Sequence, residues 1–242
     1  MAALKVQGAS DRAEQMYEQY ARRQQPHRYA DRTVATRIRR EHREAVRAAL
    51  IPLTPLDGCT LLEIGAGGGS NVPLWRTLGF VDERITLNDI RPEPIAEAVA
   101  RWSTVRCLHG DAVELDVPPH DVVYAGTVFS SILSDADRRE VADAMWRLTR
   151  PGGRALIYDF TWDNPANRDV RKVTDADVWA LFPQTAILSV GLTLAPPIAR
   201  RIPGWAYPLV KWSALKTHRL WWLRKAPQGG AGQGVSLTAP AE

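Results

Sequence analysis

Four glycines among five residues, Gly65, Gly67, Gly68 and Gly69, follow the short apolar run Leu61-Leu62-Glu63-Ile64. A strand-length run that opens into such a loop and then into a helical pattern brings bare backbone N–H groups up to a ligand, because glycine tolerates the conformations and close approaches this requires. A nucleoside or a carboxylate suits those amides. The loop reads Gly65-x-Gly67-x-Gly69 with Ser70 where a dinucleotide fingerprint wants its third glycine, which weighs against a nicotinamide cofactor. Asp89 ends a second apolar run, where its carboxylate could accept two hydrogen bonds from a ribose diol. The plainer alternative for Asp89 is a helix cap ahead of Pro92.

Other residues could take part in proton chemistry. Asp159 closes a later apolar run and is a candidate base or substrate-orienting carboxylate; the alternative is a buried aspartate that closes the following loop. Of the five histidines, His27, His42, His109, His120 and His218, His218 joins Asp159 as a catalytic candidate, and His120 falls at the wrong end of its strand. Glu63 beside the loop either meets a ligand's ammonium group through water or hydrogen-bonds the loop amides. Asp111 after Gly110 is a ligand contact or a turn residue.

These residues need a frame, and the periodicity supplies one. Strands are expected at Thr60 to Ile64, Arg84 to Asn88, Val105 to His109, Asp121 to Ala125 and Ala155 to Asp159. Helices are expected between them at Asn71 to Leu78, Glu93 to Trp102, and from Asp135 or Asp137 to Leu148, the last with Val141, Ala144, Met145 and Leu148 facing inward. Arg150-Pro151-Gly152-Gly153 reads as a turn between that helix and the fifth strand. Strands alternating with helices call for a parallel sheet covered on both faces. Side chains alternate along a strand, so Tyr158 should face away from Asp159.

At the amino end, Ser10 to Gln25 and an arginine-rich stretch from Asp31 to Leu50 read as helices, and residues 1–50 are expected to form a helical lid bringing Tyr17, Tyr20 or an arginine to the ligand. The plainer reading is a solvated helix face with pairs such as Arg40 with Glu44. Residues 51–226 form the main domain. Within it 161–216 holds the substrate-side elements, including a short helix at Asp175 to Leu181, a strand at Thr185 to Leu194 and a last strand at Thr217 to Arg224. Trp205, Tyr207, Trp212, Trp221 and Trp222 lie among basic residues there, as an aromatic core with snorkelling bases, a sugar-stacking surface or an interfacial membrane patch. Residues 227–242 are expected to be a disordered tail.

Composition limits the classes. The 242 residues are 45% hydrophobic and 24% charged, with a formal net charge of +4, which suits a globular domain with no demand for a polyanionic partner. Cys59 and Cys107 lack metal spacing and read as buried thiols in a reducing, cytoplasmic setting. No signal peptide or membrane-spanning segment is evident.

In ordered blocks from Leu61 to Asp159 the chain resembles the class I S-adenosylmethionine-dependent methyltransferases. Leu62-Glu63-Ile64-Gly65-Ala66-Gly67-Gly68-Gly69 is similar to that family's glycine motif, Leu87-Asn88-Asp89-Ile90 to its ribose-binding block, and Gly110-Asp111-Ala112 to its adenine-reading block. Asp121-Val122-Val123-Tyr124-Ala125 is similar to its fourth strand and Arg150-Pro151-Gly152-Gly153 to the turn before its fifth. Asn88 departs from the small apolar residue common at that position.

The resemblance implies a Rossmann-like α/β fold with a seven-stranded, mostly parallel sheet and an antiparallel last strand. It implies S-adenosylmethionine as cofactor, no metal, and Glu63, Gly65, Gly67, Gly69, Asp89, Ile90, Asp111, Ala112, Ala125 and Tyr17 around it. Asp111 would accept from the adenine's exocyclic amine while Ala112 donates a backbone N–H. Leu194-Ala195-Pro196-Pro197-Ile198-Ala199-Arg200 and Thr217-His218 more loosely resemble bacterial methyltransferases of surface-glycan and secondary-metabolite pathways. The expected reaction is therefore methylation of an oxygen on a small molecule or glycan, with a nitrogen acceptor left open. The alternatives are a tRNA or rRNA methyltransferase, a non-catalytic protein that binds the same cofactor, and a nicotinamide-dependent oxidoreductase. No Asn-Pro-Pro-aromatic block follows the fourth strand, which argues against nucleic acid.

Overall fold

The computed structural model describes residues 32–163, 169–194 and 216–227. The expectations for Tyr17, Tyr20 and His27, for Trp205, Tyr207 and Trp212, for the Pro196-Pro197 stretch and for the tail lie outside these residues. The elements in order are α1 (Arg32–Leu50), β1 (Leu61–Ile64), α2 (Val72–Leu78), β2 (Ile85–Asp89), α3 (Pro92–Arg101), β3 (Arg106–His109), β4 (His120–Gly126), α4 (Asp135–Leu148), β5 (Thr149–Phe160), α5 (Asp175–Leu181), β6 (Ile187–Leu194) and β7 (Lys216–Arg224).

The local chemistry explains most boundaries. Pro73 and Pro92 sit in the first turns of α2 and α3, where a missing N–H costs nothing, and Gly79 closes α2 in the left-handed conformation. The Ser134 hydroxyl caps α4 through Asp137 N–H, and Thr174 with Asp177 forms a reciprocal capping box on α5.

The seven strands form one sheet in the order β3-β2-β1-β4-β5-β7-β6. The first five are mutually parallel, and β7 runs antiparallel between β5 and β6. Every residue of β1 and β2 is buried, as expected of parallel strands covered on both sides. On one face Leu61, Tyr124, Leu156 and Leu220 pack with Val46, Ala49 and Leu50 of α1 and Trp75 of α2. On the other, Leu62, Val123, Ala155 and Ile157 meet Ala142, Met145 and Leu148 of α4 and Val178 of α5. Val34, Ile38, Val46 and Leu50 form a buried stripe at spacings of four, eight and four residues that lays α1 along β6 and β7.

Several expectations are corrected. Arg150 to Gly153 belong to β5 and do not form a separate turn. Thr149 pairs with His120, a register shift before Val122 absorbs the extra residues, and Gly152 N–H and Gly153 C=O bond the backbone of Lys225. A Cβ on Gly153 would lie 2.7 Å from Asp121 O, so the close approach requires glycine. Arg150 pairs with Asp121, whose other oxygen accepts from Thr60 N and Oγ1. On α1, Glu44 pairs with Arg43 and Arg47, not Arg40. On α4, Ala142 and Arg138 point inward while Val141 is half-buried. Cys59 is buried, but Cys107 is only half-buried; both are free thiols. Trp221 is fully buried and donates its indole N–H to Asp175, which also pairs with Arg219. No described helix is long and apolar enough to cross a membrane.

Candidate active site

The strand order reverses at β1, between β2 and β4, and at their carboxyl ends the backbone opens into a cleft, as open α/β sheets do at such a switch point. Gly65, Gly67 and Gly69 all have positive φ, at 65°, 54° and 71°. The loop is fastened to the next strand: Ala66 N–H donates to Asn88 O (2.9 Å) and Gly67 N–H to Asp89 Oδ2 (2.8 Å). Asp89 Oδ1 accepts from Arg91 N–H (3.0 Å). This is a local turn and not a helix cap, because Arg91 occupies the cap position of α3. Oδ1 is also paired with Arg91 Nε (3.4 Å), whereas Oδ2, bonded only to Gly67 N–H, keeps a further lone pair for a ligand.

Asn88, the departure from the family pattern, is buried and uses both of its amide hydrogens. Its Nδ2 donates to Leu108 O (3.2 Å) and Gly110 O (2.9 Å), joining the end of β2 to the turn after β3. That turn carries Asp111, whose Oδ1 accepts from Val113 N–H (2.9 Å). A turn role and a place on the cleft wall therefore coexist in Asp111.

The cleft holds a cavity of about 350 Å³. Gly65, Asp89, Ile90, Asp111 and Ala112 line it, so the structure brings together five of the residues singled out from sequence. Its apolar wall comes from Val128, Ile132, Leu133 and Val141, which sequence reasoning did not assign to a site. The signal available was the pair of apolar dipeptides after β4, Val128-Phe129 and Ile132-Leu133, on either side of Ser130-Ser131. A cavity with an apolar wall and a few convergent polar groups is the usual form of a small-molecule site. Two acceptor carboxylates beside bare loop backbone suit a nucleoside with a diol and an exocyclic amine.

The remaining candidates stand elsewhere. Gly69 packs under Trp102 and Leu87, where a Cβ would come within 2.6 Å of the indole nitrogen. Glu63 is buried and spends its carboxylate on Asn71 Nδ2 (2.6 Å) and Trp75 Nε1 (2.7 Å), and burial raises its pKa to about 7. Ala125 is fully buried. Asp159 is also fully buried, with Oδ2 accepting Ser130 N–H (3.0 Å) and Oδ1 its neighbour Phe160 N–H (2.8 Å); burial lifts its pKa to about 6. Tyr158 faces the other way, toward α1.

His218 lies on that same α1 face, stacked on Tyr158 at 5.3 Å and touching Phe160 at 4.4 Å. Near it His42 Nε2 meets the Tyr124 hydroxyl at 3.1 Å. Burial lowers both imidazoles to about 4. His42 escaped the sequence reading, although it stands in register with Ile38 and Val46 on the apolar stripe of α1. Among the described residues no group of three or more His, Cys, Asp and Glu is arranged to hold a metal ion.

These shifts oppose one another in stability. The raised Glu63 and Asp159 favour the fold at low pH, and that contribution is lost as pH rises through about 6 to 7. The lowered His42 and His218 favour the fold above 6.5, and theirs is lost as pH falls toward about 4. Each shift is worth about 3 kcal/mol, so the opposing slopes nearly cancel between pH 5 and 7. His218→Phe should therefore tilt the balance. Its unfolding free energy, relative to wild type, should fall by about 2 kcal/mol from pH 5 to pH 7 in urea titrations. Parallel profiles would show that His218 is not held neutral by the fold.

Residues 62–157 match the family model described as a methyltransferase domain. No curated protein matches the chain. Among solved structures, the fold is similar to N-methyltransferase NodS from Bradyrhizobium japonicum WM9 bound to S-adenosyl-l-homocysteine, at 17% identity over 77% of this chain and 86% of that one, with a TM-score of 0.57. Magnesium protoporphyrin IX methyltransferase from Synechocystis PCC 6803 with bound SAM is 16% identical over 82% and 88%, TM-score 0.56. The 1,6-didemethyltoxoflavin-N1-methyltransferase of Burkholderia thailandensis is 21% identical over 76% and 78%, TM-score 0.55.

Proposed function

We propose that this chain, whose residues 62–157 match a methyltransferase-domain model, is a class I S-adenosylmethionine-dependent methyltransferase that methylates an oxygen of a small molecule or glycan. The observation that carries the reading is the division of the cleft. Asp89, Ile90, Asp111 and Ala112 gather on the β2 and β3 side, which leaves the carboxyl ends of β4 and β5 for the acceptor. On this reading Asp89 holds the ribose, Asp111 and Ala112 the adenine, and the Gly65 to Gly67 backbone the amino-acid end.

The bound cofactor supplies a sulfonium-activated methyl group, so the protein's work is alignment and exclusion of water. Ile132, Leu133 and Val141 keep the adenosine side dry. A hydroxyl acceptor loses its proton as its oxygen takes the methyl, and His218 is the group proposed to receive that proton, although burial, which lowers its pKa to about 4, weakens it as a base. Asp159 acts one step back. By gripping Ser130 N–H and Phe160 N–H it fixes the turn after β4 against the end of β5. Residues 1–50 remain proposed as a helical lid, with Tyr17 as a further cofactor contact.

The reading is tested by supplying methyl-labelled cofactor to the full chain with matched hydroxyl and amine acceptors. Label is expected in base-stable ethers; label in amines alone, or none despite tight cofactor binding, rejects the oxygen acceptor. Asp159→Asn replaces one acceptor oxygen by an NH2 facing an N–H donor, at a cost of about 1–3 kcal/mol. Turnover should fall at least about tenfold with S-adenosylhomocysteine affinity within about twofold of wild type. Wild-type turnover would dismiss the positioning role.

A further inference from the structure

Five elements converge at the α1 side of the sheet's carboxyl end, next to the cleft and outside the cavity described above. His42 comes from α1, Tyr124 from β4, Tyr158 and Phe160 from β5, Thr193 from β6 and His218 from β7. Their rings form a continuous series: His42 lies 4.4 Å from Tyr158, Tyr158 stacks on His218 at 5.3 Å with 16° between planes, and His218 meets Phe160 at 4.4 Å. His42, Tyr158 and Phe160 are only half-buried, so the series is not sealed inside the core.

The group sits where an acceptor has to arrive. Gly126 and Tyr158 are paired at the ends of β4 and β5, and Thr127 N–H donates to Tyr158 O (2.7 Å). A Cβ on Gly126 would lie 2.9 Å from the Tyr124 hydroxyl; with glycine there, the phenol rises beside the strand end. Thr127, the next residue, is exposed and held at a φ of 57°, and Thr193 is buried at a φ of 56°. A β-branched residue there costs about 1–3 kcal/mol, a strain that collects at ligand sites.

The polar atoms of the group are neutral. The Tyr158 hydroxyl bonds Thr193 Oγ1 (3.0 Å), the Tyr124 hydroxyl bonds His42 Nε2 (3.1 Å) and His218 Nδ1 bonds Thr217 Oγ1 (3.1 Å). Among the described residues no hydrogen bond reaches His42 Nδ1 or His218 Nε2. Burial keeps both imidazoles uncharged and the Tyr124 phenol protonated at neutral pH. After burial, Glu63, Tyr158 and Asp159 add to the rise of the Tyr124 phenol.

We propose that His42, Tyr158, Phe160, Thr193 and His218 form the acceptor subsite, and that it takes an uncharged ring bearing hydroxyls, such as a neutral sugar. Aromatic faces receive the apolar face of such a ring, and imidazole and hydroxyl groups both donate to and accept from its hydroxyls. Lys216, the cation close by on β7, is spent on Gly191 O (2.7 Å) and does not single out an anionic acceptor. The inference rests on the methyltransfer reading only for the use made of the ring, not for its binding.

The test is saturation-transfer NMR on the full chain with methyl α-glucoside, methyl α-mannoside and methyl α-rhamnoside, and with glucose 6-phosphate as the anionic counterpart. Each is recorded with and without S-adenosylhomocysteine. At least one methyl glycoside should show ring-proton transfer that drops fivefold or more in His218→Phe, which keeps the ring volume, and in Thr193→Val, which removes only the hydroxyl on Tyr158. Glucose 6-phosphate should show none. The subsite is overturned if no methyl glycoside gives transfer, if transfer survives in both variants, or if the phosphate binds equally well. A chain that binds the glycosides but not S-adenosylhomocysteine keeps the subsite and loses the methyltransfer reading.

Discussion

Replacing Asp89 by alanine is expected to weaken S-adenosylhomocysteine binding at least about a hundredfold while the protein stays folded. A hydrogen bond to a charged group is worth about 1.5–3 kcal/mol, and a ribose diol offers two. The same carboxylate anchors the glycine loop through Gly67 N–H (2.8 Å), so alanine also frees the loop that must present its amides. The fold survives because the β2 strand is held by Ile85 and Leu87, both fully buried, and by Asn88. Calorimetric titration reads the affinity and far-UV circular dichroism the fold. An unchanged dissociation constant would remove Asp89 from the cofactor site.

Gly65→Ala is expected to cost affinity and stability together. At a φ of 65° any Cβ is strained by about 1–2 kcal/mol, and here it would also stand 2.5 Å from Val128 Cγ2. Overpacking of that kind adds about 1–3 kcal/mol, so the total is about 2–5 kcal/mol of unfolding free energy. Because Gly65 lines the cavity and Val128 forms its wall, relief by moving either one closes the space for the ligand. The two contributions separate in a double mutant. Val128→Ala in the Gly65→Ala background should recover about 1–2 kcal/mol beyond additivity, while the backbone strain persists. Strict additivity would mean that the two side chains do not meet.

What the sequence made legible was local. The glycine loop, Asp89 and Gly110-Asp111-Ala112 are each set by a few adjacent residues whose chemistry is particular, and the structure gathers them on one cleft. The alternation of strands and helices between Leu61 and Asp159 was readable for the same reason. Arg150 to Gly153 was misread as a turn because its strand partner, Lys225, lies far along the chain and no local pattern announces it. Asn88 looked like an irregularity until the turn at Gly110 came beside it. His42 stood in view on an apolar stripe, but its meaning depends on Tyr124, Tyr158 and His218, which only the folded sheet brings to it. Glu63 could be placed beside the loop but not assigned, since its donors, Asn71 and Trp75, are on the helix that follows.

The central claim is that the cleft between Asp89 and Asp111 is the S-adenosylmethionine site. Isothermal titration of the full wild-type chain with S-adenosylhomocysteine tests it most directly. One site per chain with a dissociation constant at or below about 10 µM, equivalent to about 7 kcal/mol of binding free energy, is the predicted result. An absence of saturable heat at millimolar ligand, with the protein folded, would contradict it.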